Sequence, residues 1–110
     1  MLIFFNSCVQ KTKKQIVKFY VDTNGIENIN SVGVRGQIYP LNWNKNFELY
    51  DNNNDEIYEG EITFDIPFDF VELKFVKNQN QFELLDQPNR RVYFDASGNT
   101  EFSVRFDENK

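Results

Sequence analysis

Histidine is missing from this chain of 110 residues, and cysteine occurs once, at Cys8. The absence of histidine removes the commonest general base and metal ligand of proteins, and a single cysteine excludes an internal disulfide. Nucleophilic catalysis needs a base beside serine or cysteine, and none of the serines lies in a recognisable catalytic motif. We therefore predict that the protein is not an enzyme and that it uses no cofactor.

Long apolar runs, positive charge and alanine are also scarce. No run of about 18 apolar residues occurs, so the sequence predicts no membrane-spanning helix. The formal net charge is −5, which argues against binding to the phosphate backbone of nucleic acid. Alanine, the best helix former, occurs once, at Ala96. We therefore expect a chain with little helix and no nucleic-acid partner.

The chain is instead rich in aromatic residues and in short alternating segments. Phenylalanine occurs 12 times and tyrosine 5 times, and aromatic and β-branched residues favour strands. In QIVKFYVD, for example, Val17, Phe19 and Val21 share one face, whereas Lys18 and Tyr20 share the other. About eight such segments, separated by Gly, Pro or Asn/Asp turns, fit an antiparallel sandwich or a small barrel.

Of these two architectures we predict an all-β, antiparallel, immunoglobulin-like β-sandwich of about seven to eight strands. The domain is expected to cover residues 14–110, after a lead-in segment of residues 1–13. Its core is predicted to contain Phe19, Val34, Ile62, Phe64, Leu73, Phe75 and Phe102.

The segment DNNNDEIYEGEI begins like a calcium-binding loop, with oxygen ligands at Asp51, Asn53 and Asp55. An EF-hand loop needs glycine at its sixth position and glutamate at its twelfth, where this chain has Glu56 and Ile62. A predicted strand follows the segment, whereas an EF-hand needs a helix. The segment is therefore predicted to be a solvated hairpin turn without a metal.

The single tryptophan, Trp43, lies between Asn42 and Asn44 in the polar segment IYPLNWNKNFELYDNNND. Tryptophan is normally well buried, but clusters of asparagine and aspartate are typical of loops. We therefore expect a partly exposed indole, and an exposed indole in a loop suggests a role in binding.

A series of short motifs over about residues 14–106 resembles the starch-binding domains of carbohydrate-binding module family 20. The motifs are VGVRG, PLNW, EIYEG, ELKFV, FELL and QPNRRV, and their order and spacing are similar to those of the family. The resemblance implies a sugar site lined by Trp43, Lys74, Phe82, Glu83 and Asn89. In such a site an aromatic platform stacks on the apolar face of a glucose ring, and polar groups meet its hydroxyls.

The sequence leaves more than one function open. The first is a non-catalytic module that binds starch or a related α-glucan, although Phe82 stands where the family has a tryptophan and Leu73 where it has a tyrosine. The second is a structural or protein-interaction β-sandwich domain of an envelope lipoprotein that binds no sugar, in which Phe82 is a core residue and Asn89 only a turn residue. The domain could also be the accessory part of a longer enzyme. Convergence of Trp43 and Phe82 on one exposed face would favour the first function.

The N-terminal segment MLIFFNSCVQKTKK resembles the end of a bacterial lipoprotein signal. In that class of signal, a short apolar run precedes a cysteine that becomes the lipidated first residue of the mature protein. The resemblance covers residues 2–8 and implies lipidation of Cys8, with attachment to the cell envelope or outer surface of a bacterium. Contact with a membrane would then occur only through the lipid. The alternative is a free, partly buried Cys8 on an N-terminal strand.

Overall fold

The computed structural model describes residues 11–109. Within this range the chain forms eight β-strands and no helix, and so contains nothing with the length and apolar character of a membrane-spanning helix. The strands are β1 (Lys13–Asp22), β2 (Val32–Gly36), β3 (Phe47–Leu49), β4 (Ile57–Ile66), β5 (Phe70–Lys77), β6 (Gln81–Phe82), β7 (Arg90–Tyr93) and β8 (Asn99–Arg105). The predicted lipidation site, Cys8, lies outside the described residues, as do residues 1–10 of the predicted lead-in segment.

The strands form two sheets. The first sheet has the order β4-β1-β8, and the second has the order β3-β2-β5 with β6 and β7 both paired to the remaining side of β5. The predicted all-β sandwich is confirmed. One detail is corrected: β1 and β8 pair in parallel, whereas antiparallel pairing was expected throughout. Alternation of apolar residues fixes which face of a strand is buried but carries no information about its direction.

The core lies between the two sheets and is built from the alternating positions of β1, β2, β4 and β5. Six of the predicted core residues are at most 1% exposed, namely Phe19, Val34, Ile62, Phe64, Leu73 and Phe75. The seventh, Phe102, is only partly buried because β8 is an edge strand. Its ring nevertheless packs between the sheets, with centroids 6.0 Å from Phe19 and 6.4 Å from Phe75. Each such buried ring contributes about 1.5–3 kcal/mol to folding.

The opposite positions of the second sheet form its outer face, which carries charged and aromatic side chains. Arg35 of β2 lies beside Lys74 of β5, and Glu72 of β5 lies beside Arg91 of β7. Because successive side chains of a strand point to opposite faces, these residues share the side that faces away from the core. This outer face positions the site described below.

The turn that resembled a calcium loop uses its carboxylates to hold its own backbone. The two carboxylate oxygens of Asp51 accept hydrogen bonds from the backbone N–H groups of Asp55 and Glu56, at 3.1 and 2.9 Å. Asp55 accepts a further bond from the N–H of Ile57 at 2.9 Å. Across residues 11–109 no three acidic, histidine or cysteine side chains are grouped closely enough to hold a metal ion.

Candidate functional site

Trp43 lies in the connection between β2 and β3, and Arg35 fixes that connection to the outer face of the second sheet. The guanidinium donates from Nη1 to the main-chain oxygen of Trp43 at 3.1 Å and from Nε to Oδ1 of Asn46 at 2.7 Å. Its Nη2 donates to the main-chain oxygen of Gln79 at 2.6 Å. Leu41, two residues before Trp43, is buried in the core and anchors the middle of the same connection. The main chain that carries the indole is therefore held to the sheet, and the indole itself is partly exposed.

Phe82 joins Trp43 on the same face. Phe82 belongs to β6 and pairs with Val76 of β5, and its ring centroid lies 6.4 Å from that of Trp43 with the planes inclined by 36°. The Cζ atom of Arg35 lies 5.2 Å from the Phe82 centroid, a cation–π distance. Both aromatic rings are partly exposed. The structure thus brings together the two aromatic residues that the resemblance assigned to one sugar site.

Lys74 and Asn89 lie near this aromatic pair. The Lys74 ammonium donates to the main-chain oxygens of Leu84 and Gln87, both at 2.9 Å, and so holds the turn between β6 and β7. An ammonium has three donors, so one N–H remains for a ligand. Asn89 is exposed and directly precedes Arg90, which pairs with Leu73. Its side chain is free to meet a ligand beside β5.

Glu83, the remaining predicted sugar-site residue, lies inside the molecule. It is 1% exposed, and its carboxylate accepts hydrogen bonds from Arg90 Nε and Nη2 at 2.7 and 2.8 Å. It also accepts the backbone N–H groups of Phe75 and Asp107, both at 3.0 Å. Phe82 and Glu83 are consecutive, so one points outward and the other inward. This position leaves no face of the carboxylate for a sugar, and Glu83 acts in the structure as an internal hydrogen-bond acceptor.

Trp43 and Asn89 both line a concavity of about 420 Å³ on the outer face. Its other walls include Ile38, Phe68 and Glu72. The volume lies within the range of about 300–1,000 Å³ that is common for small-molecule sites. The sequence did not single out Phe68, yet the signal was present: like Trp43, it is a large apolar residue in a turn, between Pro67 and Asp69. We call this space the Trp43–Phe68 concavity.

An ion pair borders the concavity. Arg91 Nη2 lies 2.7 Å from Glu72 Oε2, and the guanidinium carbon lies 4.3 Å from the ring centroid of Phe70. Hydrogen bonds with the Tyr93 hydroxyl and with Glu72 raise the pKa of Arg91 above its ordinary value. The guanidinium is therefore always charged, and it covers one face of Phe70 while it orients Glu72. Arg35, which supports Trp43, was likewise not predicted, because no local pattern marks an arginine that bridges three segments.

No protein-family model matches the chain, and a comparison with curated proteins finds no match.

Proposed function

We propose that the domain is a non-catalytic module that binds α-glucan through the outer face of its second sheet. The observation that carries the proposal is the convergence of Trp43 and Phe82, at a centroid distance of 6.4 Å, on a partly exposed face. Two adjacent rings offer the apolar C–H faces of a sugar chain a continuous platform, and the neighbouring polar groups can meet its hydroxyls.

Within this proposal each residue has a distinct role. Trp43 and Phe82 stack on the sugar rings, and Asn89 and the remaining N–H of Lys74 hydrogen-bond hydroxyls at the rim. Arg35 is a positioning residue, because it contacts the main chain of Trp43 and the ring of Phe82. Glu83 supports the surface from below and does not contact the ligand. We further propose that a lipid on Cys8 displays the module on a bacterial envelope.

The first prediction concerns Trp43 itself. Maltoheptaose or β-cyclodextrin should change the fluorescence of the single tryptophan, with a dissociation constant on the order of 0.01–1 mM. Replacing Trp43 by Ala should weaken binding by about 2 kcal/mol or more, since a central aromatic anchor commonly contributes that much. Asn89→Ala and Lys74→Ala should each cost about 0.5–1.5 kcal/mol through lost hydrogen bonds. Because the Trp43 variant has no indole signal, calorimetry measures its affinity.

The matched control is Tyr50→Ala, which removes an aromatic ring that is 60% exposed but lies outside this surface. Its affinity should equal that of the wild type. Unchanged Trp43 emission up to tens of millimolar ligand, roughly the weakest specific binding expected, would contradict the proposal.

A protein-interaction domain is the second candidate, favoured by Tyr93, which is 62% exposed and whose ring lies 5.5 Å from that of Phe70 on the outer face. Exposed apolar residues that cluster on one face are characteristic of protein contact surfaces. Under this function the outer face would bind a protein, and the glucan titration would show no change.

A further inference from the structure

The Trp43–Phe68 concavity extends the proposed sugar surface away from Phe82. Trp43 contributes to both: its ring packs near Phe82 and also lines the concavity together with Phe68 and Asn89. A ligand lying on Trp43 therefore reaches the concavity without leaving the protein surface. Its further walls, among them Gln37, Phe68 and Glu72, are not residues that the sequence resemblance assigned to sugar binding.

Phe68 has the properties of a stacking residue. It is 52% exposed, although it lies in the short turn between β4 and β5. The N–H of Phe94 donates to the main-chain oxygen of Asp69 at 2.9 Å, which fastens that turn to the end of β7. Phe70, by contrast, already has the guanidinium of Arg91 over its ring at 4.3 Å and Tyr93 at 5.5 Å. Of the two phenylalanines in the lining, Phe68 is therefore the one whose ring is available to a ligand.

The polar groups of the concavity suit a sugar. Arg91 donates to Glu72 Oε2 from both Nε and Nη2, at 3.1 and 2.7 Å, and no residue among 11–109 donates to Oε1. That oxygen can accept hydroxyl hydrogens, while the amides of Gln37 and Asn89 offer donors and acceptors at other points of the lining. Aromatic walls with polar groups between them match the alternation of apolar faces and hydroxyl edges along a glucan.

We propose that the Trp43–Phe68 concavity is a second subsite for the glucan chain, in which Phe68 stacks on a sugar ring further along the chain than the ring on Trp43. The inference rests on the proposed function and adds to it a preference for longer glucan chains. The module then selects longer linear α-glucans over short oligosaccharides, because only the longer chain occupies both aromatic positions.

Calorimetric titration of the whole domain with maltotriose and maltoheptaose tests the subsite. The wild type should bind maltoheptaose about three- to tenfold more tightly than maltotriose, the range expected from one further stacking contact. Phe68→Ala should remove this preference. Its affinity for maltoheptaose should fall by the same factor, and its affinity for maltotriose should stay within about twofold of the wild-type value. Phe68→Trp should retain or enlarge the preference. Phe68→Leu keeps apolar bulk without a ring and should behave as the Ala variant does, which covers the case that Phe68→Ala folds poorly. Tyr50→Ala is the control and should leave both affinities unchanged.

The outcomes separate this inference from the function on which it rests. Suppose that the wild type binds both ligands and that the Phe68→Ala and Phe68→Leu variants fold and still prefer maltoheptaose to maltotriose. The subsite is then overturned, and the proposal of α-glucan binding stands. The subsite is also overturned if the variants lose affinity for both ligands equally, since Phe68 would then only support the Trp43 loop. If the wild type binds neither ligand, the proposed function is overturned and the subsite falls with it.

Discussion

Glu83 and Arg90 form a buried ion pair beneath the surface that carries Phe82. Their side chains are almost fully enclosed, and Arg90 Nη2 also donates to the main-chain oxygens of Arg105 and Glu108 at 3.1 and 2.7 Å. Both carboxylate oxygens of Glu83 have donors, since Oε2 accepts from Arg90 and Phe75 and Oε1 accepts from Arg90 and Asp107. A buried charge without such partners destabilises the folded state. Breaking the pair is therefore expected to lower the free energy of unfolding by more than the intact pair adds to it.

We expect Glu83→Ala to lower the free energy of unfolding by about 3–5 kcal/mol, the usual cost of leaving one partner of a buried ion pair uncompensated. The N–H groups of Phe75 and Asp107 would also lose their acceptor. Urea unfolding followed by Trp43 fluorescence measures this difference. The matched control is Glu72→Ala, which removes the exposed partner of Arg91 and should cost at most about 1 kcal/mol. Equal costs for the two variants would contradict the structural role of Glu83.

The sequence predicted the location of Trp43 better than that of Glu83. Asparagines on both sides of Trp43 are enough to indicate a loop, and partial exposure follows directly. The burial of Glu83 depends on Arg90 and on the backbone of Asp107, which lie in other segments of the chain. A carboxylate followed by two leucines gives no local sign of such partners, and only the family resemblance placed Glu83 at the sugar site.

At the scale of elements, alternation located the strands but not their ends or directions. QFELL is one of the eight or so segments that the sequence predicts as strands, yet β6 contains only Gln81–Phe82. Leu84 and Asp86 have φ angles of 50° and 63°, in the left-handed region that a strand cannot adopt. The turn that results is held by Lys74 and by Asp107, whose Oδ1 accepts the N–H of Leu84 at 2.7 Å. Its shape is therefore a product of tertiary contacts.

The loop between β2 and β3 is the element that presents Trp43, and Arg35 is its main support. We expect Arg35→Met to increase the mobility of the indole, because the main-chain oxygens of Trp43 and Gln79 and the side chain of Asn46 all lose a charged donor. Trp43 fluorescence anisotropy should fall and the affinity for maltoheptaose should weaken by about tenfold, corresponding to about 1.4 kcal/mol.

Arg91→Met is the control for this loop. Arg91 lies on the same outer face, but its partners are Glu72, Phe70 and Tyr93, none of which belongs to the loop. Its removal should leave the anisotropy of Trp43 unchanged. Equal anisotropy in the wild type and Arg35→Met would show that other contacts hold the loop.

At the scale of the whole molecule, the C-terminal segment joins the two sheets. β8 belongs to the first sheet, and the residues after it reach Glu83 and Arg90 of the second sheet through the backbone of Asp107 and Glu108. Phe106 is buried in the core between these contacts. The first strand, β1, lies at the centre of the first sheet, whereas the proposed binding surface lies on the outer face of the second. Lys11, which precedes β1, nevertheless lines a separate concavity together with Phe68 of that surface.

Lipidation of Cys8 is the final prediction. If the native protein is expressed with its own signal in a bacterium, the mature chain should begin at Cys8 and carry acyl chains. Two acyl chains, at about 0.8 kcal/mol per buried methylene, hold a protein stably on a membrane. Intact-mass spectrometry should show the added lipid, and the protein should fractionate with membranes. Cys8→Ser should shift it to the soluble fraction, whereas Ser7→Ala, the neighbouring control, should not. An unmodified Cys8 in the native protein would exclude the anchor without affecting glucan binding, because every residue proposed to contact the glucan lies between Gln37 and Asn89.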